Sequence, residues 1–172
     1  MAMLIHVADI PEEGLRIEGP EAFPNPFQDP AWTLDDLSLL LEKDEDAVLV
    51  RGRLAATVPQ HCGRCLEPYT IQVEPEIGAR FVPSPAGRGE EHELAADDLE
   101  TDTYRHGVLD LNALLETETS LAVPMKPLCR DGCRGLCPVC GGNRNTTPCA
   151  CEEHAPDPRW AALKEWAARH PR

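Results

Sequence analysis

The sequence has few aromatic residues and no long apolar segment. Aromatic side chains make up 5% of the 172 residues, so we expect a largely aliphatic core. No stretch approaches the roughly 18 consecutive apolar residues that a membrane-spanning helix needs. The opening residues 1–9 lack a basic region, a long apolar core and a small-residue cleavage site, so they do not resemble a secretory signal. We therefore expect a cytoplasmic protein with no membrane partner.

Recognisable catalytic motifs are also missing from the sequence. It contains no glycine-rich phosphate loop, no nucleophile elbow and no helical His-Glu-x-x-His motif. The six histidines are scattered along the chain, and His61 alone adjoins a cysteine, Cys62. We therefore expect no enzymatic activity and no small-molecule substrate.

Negative charge dominates the sequence, but its distribution is uneven. The formal net charge is −14. Residues 1–50 carry 2 basic and 12 acidic side chains, and residues 88–118 carry 2 and 10, whereas residues 119–172 carry 8 and 5. Basic side chains that neutralise phosphate supply most of the non-specific affinity for nucleic acid. Only the C-terminal part is therefore suited to RNA, and the acidic remainder is suited to a basic protein.

Cysteine is abundant, and six of the eight cysteines lie between residues 129 and 151. In the run Cys137-Pro138-Val139-Cys140-Gly141, the glycine permits a positive φ, so backbone N–H groups can point at a thiolate. Two such sulfurs can bind one ion at about 2.3 Å. In a reducing cytoplasm, clustered cysteines are more often metal ligands than disulfides. The run predicts a structural metal site, with zinc as the first choice and iron as the second.

The cysteines form four pairs, and two groupings of these pairs are compatible with their spacing. In the preferred grouping, one site contains Cys137, Cys140, Cys149 and Cys151, and a second contains Cys129, Cys133, Cys62 and Cys65. In the alternative, Cys129, Cys133, Cys137 and Cys140 form a single site. Two separated pairs resemble a zinc ribbon, whereas four ligands within twelve residues crowd the backbone. We therefore expect one or two structural zinc ions.

The Cys62/Cys65 pair is expected in the loop of a β-hairpin, and three interpretations of it remain open. The two thiols can be buried groups that stabilise a turn, half of a metal site, or a redox pair. In addition, His61 could supply a local ligand or lower the pKa of the Cys62 thiol.

Alternation of apolar and polar residues predicts strands at residues 4–7, 47–58 and 69–81. Gly52 is expected to mark a bulge, and Pro75 is expected to confine its region to an edge or bulge. Helices are predicted to begin at Thr33, Asp110 and Asp157, where capping residues precede apolar stripes. In the first of these helices, the leucines at residues 34, 37, 40 and 41 recur at helical spacing.

These elements indicate an α+β fold, with an antiparallel sheet or partly open barrel, short helices and a C-terminal zinc-ribbon-like module. We expect residues 1–125 to form an acidic α+β body, in which residues 83–107 are a flexible linker or loop. Residues 126–172 are expected to form the cysteine-rich metal module with a C-terminal helix. Trp160 and Trp166 are expected to pack that helix onto the module or the sheet, with stacking on bases as the alternative.

Several motifs in fixed order resemble the YceD family, the bacterial large-ribosomal-RNA-subunit accumulation proteins. The motifs are Cys62-Gly63-Arg64-Cys65-Leu66-Glu67-Pro68, Asp110-Leu111, Glu118-x-x-Leu121-x-x-Pro124, the run Cys133–Asn145, Cys149-Ala150-Cys151 and Asp157-Pro158-Arg159. The resemblance implies a bacterial protein needed for the accumulation or processing of large-subunit ribosomal RNA, with no established enzymatic activity. Some family members lack the C-terminal cysteines, which implies that Cys62 and Cys65 are the more general feature.

The leading hypothesis is therefore an assembly factor for the large ribosomal subunit. The cysteine-rich module is expected to contact ribosomal RNA or a pre-ribosomal particle through Lys126, Arg130, Arg134 and Arg144, while the acidic body contacts a basic ribosomal protein. One alternative is an acidic adaptor or chaperone that binds a basic protein and no RNA. Another is a thiol redox protein that uses Cys62 and Cys65.

Overall fold

The computed structural model describes residues 4–23, 25–84, 101–151 and 158–170. The chain divides into two compact units. Unit 1 comprises Met1–Gln60 and Pro68–Pro127, and unit 2 comprises His61–Glu67 and Leu128–Arg172.

The cysteine-rich unit differs from the predicted module in one respect. Its main boundary, between Pro127 and Leu128, lies close to the predicted boundary at residue 125. However, the unit also includes His61–Glu67, which the sequence prediction placed in the acidic body. This segment belongs to unit 2 because its two cysteines lie beside cysteines from the C-terminal part of the chain.

The described residues form eight strands in two sheets. The strands are β1 (Leu4–His6), β2 (Leu15–Glu18), β3 (Thr33–Asp44), β4 (Ala47–His61), β5 (Pro68–Val73), β6 (Glu76–Pro83), β7 (Thr101–Tyr104) and β8 (Val108–Asp110). The larger sheet has the order β2-β3-β4-β6-β7, and β5 also pairs with β4. The β2-β3, β3-β4 and β4-β6 pairs are antiparallel, whereas β6 and β7 are parallel. Strands β1 and β8 form a separate antiparallel pair. This open sheet, with few and short helices, confirms the predicted α+β class.

Strand β3 occupies the segment where a helix was predicted from Thr33, so that prediction was wrong. The buried side chains are Leu37, Leu39 and Leu41, and residues two apart share one face of a strand. The leucines at residues 34, 37, 40 and 41 fit helical spacing, while those at residues 37, 39 and 41 fit alternation, so the run is compatible with both patterns. Pairing with β4, from Thr33 opposite Thr57 to Asp44 opposite Ala47, decides between the two.

Gly52 lies in the middle of β4 without causing the expected bulge. It pairs with Leu39 of β3 in continuous register, and the irregularity in this pair of strands lies at Leu34–Asp36 instead. A Cβ atom at Gly52 would lie 2.9 Å from the Cα atom of Leu39 and closer still to the carbonyl oxygen of Ser38. Glycine is therefore required because the backbones of β3 and β4 approach closely here.

The alternating segment at residues 69–81 forms two strands, β5 and β6, which are separated by Glu74 and Pro75. The sequence predicted a single strand here with Pro75 at an edge or bulge, but proline has no N–H group to donate to a ladder and the strand is divided at this point. The carbonyl of Pro75 still accepts a hydrogen bond from the N–H group of Leu54 at 3.3 Å.

Strand β7 lies within residues 83–107, which were predicted to be a flexible linker or loop. It pairs with β6 from Arg80 opposite Thr101 to Pro83 opposite Tyr104. The Tyr104 hydroxyl also donates to the carbonyl of Asp46 at 2.9 Å. Backbone pairing with β6 stabilises this polar strand. The residues of β7 by themselves therefore do not predict a strand. Residues 85–100 of the predicted linker lie outside the described residues.

Helix α1 (Leu111–Ala122) begins where the sequence predicted. The Asp110 carboxylate accepts a hydrogen bond from the N–H group of Ala113 at 3.3 Å, which confirms the predicted N-cap. Leu111, Leu114 and Leu115 are buried in the core of unit 1. Most of the other buried core residues are Leu, Val and Ile, as the shortage of aromatic residues predicted.

Helix α2 (Ala161–Arg169) follows a 3-10 turn at Pro158–Trp160. The predicted cap Asp157 lies outside the described residues. Trp160 and Trp166 are 60% and 56% exposed, so the described part of the chain does not bury them as expected. Within the described residues, no helix has the length and apolar character needed to cross a membrane.

We predict that Gly52→Ala lowers the free energy of unfolding by roughly 1–3 kcal/mol, because the added methyl group must displace the β3 backbone. Gly78→Ala on β6 is a matched control, since a Cβ atom there has no atom within 4 Å. The control should be neutral or stabilise by up to about 1 kcal/mol. Urea denaturation followed by circular dichroism measures both, and equal effects would contradict the close approach at Gly52.

Candidate metal centres

The first cluster, site 1, contains Cys62, Cys65, Cys129 and Cys133. Their sulfur atoms all lie within 4.8 Å of one another. The Sγ atom of Cys62 is 3.7 Å from that of Cys133, and the Sγ atom of Cys65 is 3.8 Å from that of Cys129. Three of these residues, Cys62, Cys65 and Cys133, are buried.

The second cluster, site 2, contains Cys137, Cys140, Cys149 and Cys151, whose sulfur atoms also lie within 4.8 Å of one another. The Sγ atom of Cys149 is 3.4 Å from that of Cys137 and 3.6 Å from that of Cys140. Only Cys137 is buried here, and the other three cysteines are exposed.

The spacing of the sulfurs fits metal ligands and excludes disulfides. A tetrahedral zinc ion with bonds of about 2.3 Å holds its sulfurs roughly 3.8 Å apart. The sulfur–sulfur separations of 3.4–3.8 Å are near this value. A disulfide requires about 2.05 Å, and all eight cysteines are free. The two clusters, each able to hold one metal ion, are those of the preferred grouping.

The loop between β4 and β5 supplies two ligands of site 1. Its ends are joined by a hydrogen bond from the N–H group of Cys62 to the carbonyl of Glu67 at 3.0 Å. The N–H group of Leu66 returns to the carbonyl of Cys62 at 2.9 Å. This tight loop places the sulfurs of Cys62 and Cys65 beside one space that could hold an ion. The arrangement favours the metal interpretation of the pair over the redox interpretation.

Arg64 connects this loop to the C-terminal segment within unit 2. Its carbonyl accepts a hydrogen bond from the N–H group of Leu136 at 3.0 Å. Its guanidinium donates to the carbonyls of Cys133 at 3.1 Å and Asp131 at 3.3 Å. A Cβ atom at Gly135, where φ is +69°, would lie 3.0 Å from the Arg64 carbonyl oxygen. The glycine thus permits both the turn and the close approach of the two segments.

The predicted knuckle is present at Cys137–Gly141. The N–H group of Val139 points at the Sγ atom of Cys137 at 3.4 Å, and the N–H group of Gly141 donates to the Cys137 carbonyl at 2.9 Å. Gly141 has a φ of +72°, the left-handed conformation that the sequence predicted for it.

At least one thiol in each site has a lowered pKa and so ionises more easily. Backbone N–H groups of Cys140 and Val139 lower the pKa of Cys137 to about 6. In site 1, the backbone N–H groups of Cys129 and Cys65 lower the pKa of Cys62 to about 6. Hydrogen bonds to a thiolate stabilise the ionised form that binds metal.

Another thiol in each site resists ionisation. Loss of water around its sulfur, together with the neighbouring thiols of Cys62 and Cys133, raises the pKa of Cys129 to about 12, although other parts of the residue are exposed. The thiols of Cys149 and Cys140 raise the pKa of Cys151 to about 12. Four crowded sulfurs cannot easily all become anions, and a divalent cation removes this obstacle. Both sites are therefore built for a cation.

Asn145 supports site 1 from outside the ligand set. Its Nδ2 atom donates to the Sγ atom of Cys133 at 3.4 Å and to the Oδ1 atom of Asn143 at 2.8 Å. Its Oδ1 atom accepts hydrogen bonds from the Arg130 guanidinium and from the N–H group of Arg134, both at 2.9 Å. Such outer contacts orient metal ligands. Sequence patterns indicated no role for Asn145, although it is the last residue of the motif that begins at Cys133.

The remaining predicted site residues do not join either cluster. His61 is exposed and is absent from site 1, so its predicted role as a ligand has no support. Arg130, Arg134 and Arg144 are exposed residues of unit 2, whereas Lys126 is an exposed residue of unit 1.

Residues 50–166 match a protein family described as large ribosomal RNA subunit accumulation protein YceD. Uncharacterized proteins of Mycobacterium tuberculosis and Mycobacterium bovis are 33% identical over 130 residues, which is 76% of this chain and 60% of each relative. An uncharacterized protein of Mycobacterium leprae is 28% identical over 136 residues, 77% of this chain and 59% of that protein. The chain therefore spans about three fifths of the length of these curated relatives. No solved structure matches it.

We predict two zinc ions per chain in protein purified under reducing conditions. Cys65→Ser and Cys149→Ser should each lower the content to about one, because a closed structural site needs four ligands. His61→Ala, which changes the neighbour of Cys62 but no ligand, should retain two. Elemental analysis measures the content. One ion in the wild type, or the loss of both ions in either serine variant, would contradict two separate sites.

Proposed function

Because the chain belongs to the YceD family, we propose that it is a non-enzymatic ribosome-assembly factor that supports the accumulation or processing of large-subunit ribosomal RNA. The observation that carries this proposal is the family match over residues 50–166. All eight cysteines fall within the matched residues. Its proposed partners are large-subunit ribosomal RNA, or the pre-ribosomal particle, and a basic ribosomal protein.

The distribution of charge supports different binding partners for the two units. Unit 1 contains 8 basic and 24 acidic residues, for a formal charge of −16, whereas unit 2 contains 8 basic and 6 acidic residues, for +2. An acidic surface repels the RNA backbone and attracts basic protein segments. Unit 2 is therefore the better candidate for RNA contact, and unit 1 for contact with a ribosomal protein.

In this proposal the zinc ions are structural. Zinc at site 1 would hold the loop His61–Glu67 to the segment that begins at Leu128, and zinc at site 2 would close the knuckle onto Cys149 and Cys151. The exposed cations that would then contact RNA are Arg130, Arg134 and Arg144 of unit 2 and Lys126, which lies two residues before the Leu128–Arg172 segment of unit 2. No step of the proposal requires a reaction at either metal.

A second candidate is an acidic adaptor or chaperone for a basic ribosomal protein, without direct RNA binding. The charge of −16 on unit 1 favours it. The redox alternative has less support, because Cys62 and Cys65 are buried and lie among four thiols instead of forming an exposed pair.

Depletion of the protein in its own bacterium tests the proposed function directly. We expect the ratio of large-subunit to small-subunit ribosomal RNA to fall, and expression of the wild-type chain to restore it. Quantitative RNA analysis of both subunits gives this ratio. A ratio that stays unchanged after the protein has disappeared would refute a role in accumulation of the large-subunit RNA.

RNA binding separates the leading proposal from the adaptor alternative. The zinc-loaded full chain should bind fragments of large-subunit ribosomal RNA, with a log–log slope of affinity against salt of about −2 to −4 for three to five phosphate contacts. Fluorescence anisotropy between 50 and 200 mM KCl measures this slope. Absence of RNA binding at low salt, together with binding of a basic ribosomal protein, would favour the adaptor.

A further inference from the structure

A cleft of about 480 Å³ opens beside site 2 in unit 2. Its lining residues are Arg134, Arg144, Thr147, Pro148 and Cys149. Two arginines and a threonine therefore line one space, and none of the lining residues is acidic.

The two arginines of the cleft differ from the other arginines near the metal sites. The guanidinium of Arg64 donates to backbone carbonyls, and that of Arg130 donates to the side chain of Asn145. Neither Arg134 nor Arg144 uses its guanidinium in a hydrogen bond or ion pair with any described residue. Within the part of the chain that the structure describes, Arg64 and Arg130 thus stabilise unit 2, while the other two arginines are available to a ligand.

The backbone holds the two available arginines in fixed positions. The N–H group of Arg134 donates to the Oδ1 atom of Asn145, and the N–H group of Arg144 donates to the carbonyl of Gly135, both at 2.9 Å. Thr147 is fixed in the same way by a 2.9 Å hydrogen bond from its N–H group to the carbonyl of Asn143. A ligand would therefore order only the side chains of residues whose backbone is already held, which lowers the entropic cost of binding.

This arrangement matches the chemistry of a phosphodiester group. The planar guanidinium presents paired N–H groups to phosphate oxygens, and a threonine hydroxyl can donate a further hydrogen bond. No aromatic residue lines the cleft, so it offers no surface on which a base could stack. Contacts to the backbone phosphate position a protein on RNA without reading its sequence.

We propose that the cleft between Arg134 and Arg144 binds a backbone phosphate of RNA. The proposal rests on the proposed function, since it assigns the RNA contact of unit 2 to a particular pair of residues. It narrows the RNA contact at this cleft to Arg134 and Arg144, and it assigns Arg130, together with Arg64, to maintaining unit 2.

The competing role for these arginines is to balance the charge of site 2. A zinc ion with four thiolates carries two net negative charges, and Cys149, a predicted ligand, lines the cleft. This role requires the arginines for zinc affinity. The phosphate site requires them for RNA affinity while both metal sites are saturated.

The test compares Arg134→Gln and Arg144→Gln with Arg169→Gln in the zinc-saturated full chain. Arg169 is an exposed residue of α2, so its variant removes one positive charge from unit 2 outside the cleft. We expect each cleft variant to bind a single-stranded ribosomal RNA fragment about 5–20-fold more weakly, with a salt slope that is smaller by about 0.7. The control should change affinity by no more than about twofold. Arg144→Lys should recover only part of the loss, because lysine lacks the paired donors.

Each other outcome overturns a different statement. If the wild type binds RNA and the cleft variants bind equally well, the cleft is not the contact, although the proposed function stands. If the wild type does not bind RNA, both the cleft and the RNA contact are wrong. Lower zinc affinity with unchanged RNA affinity would assign the arginines to site 2. Equal losses of RNA affinity in all three glutamine variants would show a general attraction between positive charge and RNA instead of a specific site. Displacement of RNA by inorganic phosphate at the same concentration as the RNA would show that the cleft binds small anions.

Discussion

The architecture of unit 2 depends on the meeting of four sulfurs from segments far apart in the chain. Cys62 and Cys133 are 71 residues apart in sequence, yet their sulfurs are 3.7 Å apart. Closing so long a loop costs chain entropy, and a short polar loop has little apolar surface to offset that cost. A metal ion bound only by the folded arrangement would supply the missing stabilisation. The loop between β4 and β5 is therefore a ligand-bearing element of unit 2 and more than a connection between strands.

The polar contacts around site 1 connect its geometry to that of residues at the surface. Asn145 uses both donors and both acceptor positions of its amide, and one of those contacts is the Cys133 sulfur. Through its Oδ1 atom it also fixes the backbone of Arg134, which lines the proposed phosphate cleft. Asn145 is neither a metal ligand nor a proposed RNA contact, yet it connects the geometry of site 1 to that of the cleft. In this arrangement, loss of metal from site 1 would disturb the cleft, even though no ligand of site 1 lines it.

Local sequence patterns predicted the features whose causes are local. The knuckle at Cys137–Gly141 and the cap at Asp110 each require only a few neighbouring residues, and both are present. The features that sequence missed depend on distant partners. Strand β3 looked helical because pairing with β4 is not visible in a leucine-rich run, and β7 is a polar strand held by pairing with β6. The grouping of cysteines stayed open for the same reason, since spacing within 129–151 says nothing about Cys62.

The two metal sites differ in burial, and this difference bears on their roles. Site 1 has three buried cysteines and joins separate segments, so it is placed to maintain the fold of unit 2. Site 2 has one buried cysteine, and its ligand Cys149 forms part of the wall of the cleft. A metal there would position Thr147 and Pro148 through the short connection to Cys149, and so shape the surface that we propose contacts RNA. A metal at site 1 would therefore mainly stabilise the fold of unit 2. The proposed RNA contact would depend more directly on the geometry of site 2.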